Sequence, residues 1–166
     1  MPASENIKIH FRSATNSDGA AIQNLVFSVL REYNLEPDPT GTDADLSDIE
    51  LNYIERGGIF EIMETHEGEM LGTVGLFPLD SKVCELRKMY FAKKIRGIGL
   101  GKKTLQRMIE AARNRGFERI YLETNSVLEE AIGLYQKFGF TETNEKHAAR
   151  CDQAFFLELK NESSQS

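Results

Sequence analysis

"ELRKMYFAKKIRGIGLGKKT", residues 85 to 104, carries two irregularities that an ordinary strand or helix has no use for. The first is one of parity. With the preceding residues included, the apolar side chains fall on even positions at Cys84 and Leu86, then on odd positions at Met89 and Phe91. A strand repeats its side chains every two residues, so both sets share a face only if one residue is extra. A β-bulge near Arg87 and Lys88 supplies that residue and leaves a backbone N–H unpaired around Met89 or Tyr90. The second irregularity is glycine at every second position, Gly97, Gly99 and Gly101, among Lys93, Lys94, Arg96 and Lys102. Glycine is costly unless the backbone turns unusually or something must approach it closely. The loop also runs into a helix, whose first N–H groups and dipole favour an anion. The pattern points to a phosphate or pyrophosphate ligand.

Two better-known glycine loops fail on spacing. The dinucleotide fingerprint G-x-G-x-x-G needs glycine where Lys102 stands. The loop G-x-x-x-x-G-K-[ST] needs glycine at Arg96 and Ser or Thr at Lys103.

The flanking chain alternates strand and helix signals. Residues 6–13 alternate apolar and polar as a half-buried strand does. From Asp18, the spacing of Ile22, Leu25, Val26, Val29 and Leu30 predicts one helix face. The stretch from Glu32 to Glu50 holds seven acidic and no basic residues, broken by Pro37, Pro39 and Gly41, with a short helix expected from about Asp45 to Glu55. "IFEIME" and "MLGTVGLF" read as a hairpin. Behind the glycine loop come a helix through Leu105, Met108, Ile109 and Ala112 and the strand "RIYLETN". A further helix stripe of Leu128, Ala131, Ile132, Tyr135 and Phe138 ends at Gly139, and "FTET" and "AFFLEL" read as closing strands. One mixed α/β unit follows.

Composition narrows the partners. A net charge of −6 speaks against nucleic acid, which calls for a basic face. Without an apolar leader or a run of about 18 apolar residues, no membrane association is expected. Two lone cysteines fit a reducing, cytoplasmic setting. His10, His66 and His147 lack ligand spacing, so no metal is expected.

"RGIGLG" after "ELRKMYF", followed by "AIGLYQKFGF", resembles the GCN5-related N-acetyltransferase (GNAT) superfamily over roughly residues 7 to 159. The resemblance implies a twisted mixed sheet of about seven strands with four helices, split in a V. It implies a single N-acetyltransferase domain over 1–160, with a disordered tail over 161–166. In the family the R-x-x-G-x-G loop, here Arg96, Gly99 and Gly101 with Gly97, Ile98, Leu100 and Lys102, binds the pyrophosphate of acetyl-CoA. The pantetheine arm lies along Met89, Tyr90 and Phe91. The family often places asparagine three residues before the Ala of the later helix. Leu128 occupies that place here, and Asn125, three residues earlier, is the candidate coenzyme contact.

Acetyl transfer to an amine requires removal of a proton from the amine and donors for the thioester oxygen. It also gains from a proton for the departing thiolate. Glu85, six residues before Phe91, matches a general base of some family members, while others use water chains; a structural pair with Arg87 is its plain alternative. Tyr135 sits on the apolar stripe, and the family's "LY" position makes it the proton donor to sulfur. Cys84 is read as core. If the acidic run lines the cleft, it favours a cationic amine acceptor. The reading is an acetyl-CoA-dependent N-acetyltransferase acting on a primary amine through a ternary complex, as monomer or homodimer. The alternative is a non-catalytic acyl-CoA sensor with the same fold.

Overall fold

Alternation at the start of the chain produces β1 (Ile9–Ser13), and the expected hairpin forms β2 (Ile59–Thr65) and β3 (Met70–Pro78). The computed structural model describes residues 8–159; the first two residues of the expected opening strand and the expected tail lie outside the described residues. The remaining strands are β4 (Val83–Phe91), β5 (Arg119–Thr124), β6 (Thr141–Thr143) and β7 (Gln153–Glu158). They form one seven-stranded sheet in the order β1-β2-β3-β4-β5-β7-β6. Every neighbouring pair is antiparallel except β4 and β5.

That parallel pair splits the sheet. β4 meets β5 only where Val83 to Glu85 face Arg119 to Tyr121. Beyond this point β4 runs on to Phe91 beside β3, while β5 pairs with β7 as far as Thr124. The two strands share no further pairing, and the sheet opens into a V.

The predicted bulge lies at the open end. Thr73 pairs with Tyr90 and Gly75 with Arg87, so Val74 alone faces both Lys88 and Met89. The extra residue repairs the parity, and Cys84, Leu86, Met89 and Phe91 all join one hydrophobic cluster. Lys88 takes the strain, with φ at 56° in the left-handed region. A side chain there costs roughly 1–2 kcal/mol.

Helices cover both faces. α2 (Leu100–Asn114) buries Leu105, Met108, Ile109 and Ala112 with α3 (Glu129–Lys137) in the cluster that contains Cys84. α1 (Gly19–Glu32) buries Ile22, Val26 and Leu30 on Phe60 and Ile62 in a second cluster. The expected helix from Asp45 to Glu55 is instead a 3-10 turn, Ala44–Ser47, and a π-helix, Glu50–Ile54, the fourth helix of the fold. The break falls at Asp48, whose backbone is extended (φ −149°, ψ 87°) and whose carboxylate accepts from the Leu51 N–H at 3.0 Å; beyond it the Tyr53 hydroxyl donates to the buried Asp45. Among the described residues no helix is long and apolar enough to cross a membrane.

Candidate active site

A cavity of about 1400 Å³ occupies the V. Sites for drug-sized ligands hold roughly 300–1,000 Å³, so this one has room for a large ligand and a second, smaller one. Its two ends differ in chemistry.

One end is built by the glycine loop. Gly97 and Gly99 adopt φ of 83° and 81°, and a Cβ at either would meet nothing within 4 Å. The conformation, not crowding, selects glycine there. Gly99 is the N-cap of α2, which turns the first N–H groups of that helix toward the cavity end. Gly97, Gly99, Leu100, Gly101 and Lys102 line the cavity; Ile98 points away and is 43% exposed. On the opposite wall, Ala131, Leu134 and Phe138 of the α3 stripe are only half-buried and line the same space. An apolar stripe left half-covered by its own chain fits an apolar ligand arm laid along it.

Two residues expected at the coenzyme have prior engagements. The Arg96 guanidinium donates through Nε and Nη2 to the Phe91 carbonyl, at 3.1 and 2.9 Å, and through Nη1 and Nη2 to the Glu32 carboxylate. It thereby clamps the end of β4 to the last turn of α1, and the loop backbone is left as the main anion donor. The Asn125 side chain donates to the Arg150 carbonyl at 2.8 Å and accepts from the Val127 N–H at 3.0 Å. Asn125 lines the cavity, but its amide is spent on the turn that precedes α3.

Met89, Tyr90 and Phe91 line the middle, and Glu85 and Tyr135 face the cavity from β4 and α3. Burial pushes the Tyr90 hydroxyl up to about 12 and raises that of Tyr135 well above its ordinary value, so both are protonated at neutral pH. Burial likewise raises the Glu85 carboxyl above the usual carboxylate range, opposed by Arg87 and helped by Glu123. The alternative pairing expected from sequence is present as well. Arg87 Nε and Nη2 lie 2.9 and 2.7 Å from Glu85 Oε1. Cys84 is fully buried, its thiol pushed up to about 12 by burial, as a core residue requires.

The other end holds Glu123, which sequence reading passed over, and part of the acidic run. Glu123 accepts from the N–H groups of His147 and Ala148, at 2.7 and 2.9 Å, and contacts the His147 ring at 3.1 Å. Those donors outweigh burial and hold it below the usual carboxylate range. Asp43 and Asp45, from the acidic run, are buried. Lys88 Nζ lies 3.2 Å from each, and Arg150 clamps Asp43 with bonds of 2.7 and 2.8 Å. Asp43 and Asp45 are thus neutralised by cations from outside the run, as Glu32 is by Arg96. The available signal was the basic pair Arg87-Lys88 inside a strand, in a chain whose acidic run has no basic residue of its own.

A strand split beside a bulge, a glycine loop capping a helix and a protonated tyrosine over a cavity define an acyl-transfer class of site. The family model of the acetyltransferase (GNAT) family matches residues 24–140. The uncharacterized N-acetyltransferase YjgM of Escherichia coli K12 is 42% identical over 134 residues, 78% of this chain and 80% of that one. A GNAT-family acetyltransferase from Staphylococcus aureus Mu50 superposes with a TM-score of 0.86 at 26% identity, over 92% of this chain and 100% of the other. The yncA protein of Salmonella typhimurium, solved with acetyl-CoA, gives a TM-score of 0.72 at 22% identity, over 93% and 96%. The chain belongs to the acetyltransferase (GNAT) family, whose members are acetyl-CoA-dependent N-acetyltransferases.

Proposed function

We propose that the protein moves the acetyl group of acetyl-CoA to a primary amine by direct attack, with both substrates in the cavity at once. The observation that carries this reading is that Glu85, from β4, and Tyr135, from α3, face one cavity in the split sheet. The pyrophosphate rests on the backbone of Gly97 to Gly101, and the pantetheine arm runs between Met89 to Phe91 and the half-covered stripe of α3. Glu85 takes a proton from the amine, whose ordinary pKa is near ~10.4. The amine nitrogen attacks the thioester carbonyl, and a β4 N–H at the bulge stabilises the oxygen as charge develops. The C–S bond then breaks, the sulfur leaves with the proton of Tyr135, and the second proton of the attacking nitrogen restores the phenol as the amide forms. Burial keeps the Tyr135 phenol protonated until negative charge develops on the sulfur.

Thiol release from acetyl-CoA across a panel of primary amines tests the reading. Acceptor-dependent release is expected. Tyr135→Phe should lower kcat by about 10²–10⁴-fold, with the acetyl-CoA-induced melting shift retained. A melting shift with no acceptor-dependent release from any amine would favour the sensor alternative.

A further inference from the structure

At the acceptor end of the cavity the two arginines are more exposed than the carboxylates, while Lys88, at 5%, is buried with them. Among the side chains there, Arg87 is 24% exposed and Arg150 14%, against 12% for Glu85, 7% for Glu123 and 6% for Asp45. Each of the three carboxylates already has partners. Asp45 has Lys88 and Tyr53, Glu85 has Arg87, and Glu123 has two backbone N–H groups and His147. A polycation entering this end would find no unpaired negative charge.

One pair is half-open. Both of the close Arg87 donors, Nε and Nη2, converge on Oε1 of Glu85. Among the described residues Glu85 Oε2 makes no hydrogen bond, and neither does Arg87 Nη1, whose nearest carboxylate oxygen is Asp45 Oδ2 at 3.8 Å. One ion pair thus keeps a carboxylate oxygen and a guanidinium nitrogen without a hydrogen bond, and both of its residues line the cavity. Phe77, 3.8 Å from the guanidinium at its ring centroid, holds Arg87 in that orientation. Leu79, 44% exposed, and the Tyr121 ring provide apolar wall nearby.

We propose that the acceptor is an α-amino acid or a derivative that keeps its carboxylate, with an apolar side chain. Its amine meets Glu85 Oε2 and its carboxylate meets Arg87 Nη1. In such a molecule the two charged groups sit on one carbon, and their dipole lies antiparallel to the Glu85–Arg87 pair. This inference rests on the acetyl-transfer reading above, and it replaces a purely cationic acceptor with a zwitterionic one.

Matched pairs test it: leucine against isoamylamine, phenylalanine against phenethylamine, with spermidine as a polycation, each read by thiol release from acetyl-CoA. The amino acid should exceed its decarboxylated partner in kcat/KM by about tenfold or more, the usual worth of one charge-assisted hydrogen bond. Arg87→Lys keeps a cation beside Glu85 and Asp45 but loses the fork. It should reduce that preference roughly tenfold, mainly by raising the KM for the amino acid, with the acetyl-CoA melting shift reporting an intact fold. Equal or better turnover of the plain amines or spermidine overturns the zwitterionic acceptor and leaves acetyl transfer standing. Thiol release from no acceptor overturns both. A preference that Arg87→Lys leaves unchanged removes Arg87 from the assignment.

Discussion

Glu85 and Glu123 are two carboxylates of one cavity whose surroundings drive their acidities apart. Burial raises Glu85, while the N–H groups of the 147–148 backbone hold Glu123 low despite its own burial. A base works best when its pKa lies near the working pH, so the raised carboxyl is the better proton acceptor and the lowered one a fixed anchor for the connection before β7. Activity is expected to fall as pH drops through the raised pKa of Glu85, because the base is then protonated. Glu85→Gln should lower the rate at neutral pH by about 10²-fold, lack that acidic limb, and recover in part at high pH where free amine is abundant. A kcat/KM profile against pH, run beside Glu123→Gln, checks the assignment. An acidic limb that survives in Glu85→Gln and vanishes in Glu123→Gln would reverse the two roles.

The glycine loop and β4 show what local sequence can and cannot carry. Parity alone located the bulge, because the period of a strand is fixed by backbone geometry and a slip of one residue is visible in the apolar pattern. Glycine spacing located the loop for the same reason: a positive φ has few tenants. Gly99, with φ at 81°, should tolerate alanine poorly for its backbone and not for want of space. Gly99→Ala is expected to cost about 1–2 kcal/mol, roughly 2–8 °C in Tm for a chain of this length. Acetyl-CoA should stabilise the wild type by about 2.7 kcal/mol at a hundred times its Kd, and clearly less in the variant, because the N-cap of α2 is displaced. Thermal scans with and without the ligand measure both effects, and an equal ligand shift would detach Gly99 from the anion site. The Arg87–Glu85 pair, two residues apart, was in view, but the partners of charges that pair far along the chain were not. Arg96 meets Glu32 across 64 residues, and Arg150 meets Asp43 across 107. No local period records pairs brought together by the sheet. The stretch from Asp45 to Glu55 departs from one continuous helix for a local reason, since the Asp48 carboxylate accepts from the Leu51 N–H and interrupts the first turn.

Three distant segments meet at the buried network around Asp43: the acidic run, the β4 bulge and the connection into β7. Lys88 reaches it from the bulge and Arg150 from the connection, while Asp45 accepts from Tyr53 of the π-helix beneath. The same contacts offset the left-handed strain at Lys88, so the shape of the acceptor end is tied to the ionisation of one carboxylate. Burial opposes that ionisation, but the bonds from Arg150, the Asp38 N–H and the charge of Lys88 outweigh it and hold Asp43 at about 2. A folded pKa below the unfolded value of ~3.9 gives stability that is complete above the unfolded pKa and is lost as pH falls through the folded one. The depression corresponds to about 2 kcal/mol near neutral pH. Asp43→Asn removes the charge and keeps the volume, leaving Lys88 and Arg150 short of a counter-ion. The variant should therefore be less stable than wild type by about 2 kcal/mol at pH 7, with about half of that gap gone by pH 3 and the rest closing toward pH 2. Urea unfolding of both proteins from pH 7 down to 3 measures the gap directly. A gap that stays constant over this range would assign the loss to packing and hydrogen bonding around the side chain, and the charge of Asp43 would then have no part in holding the acceptor end together.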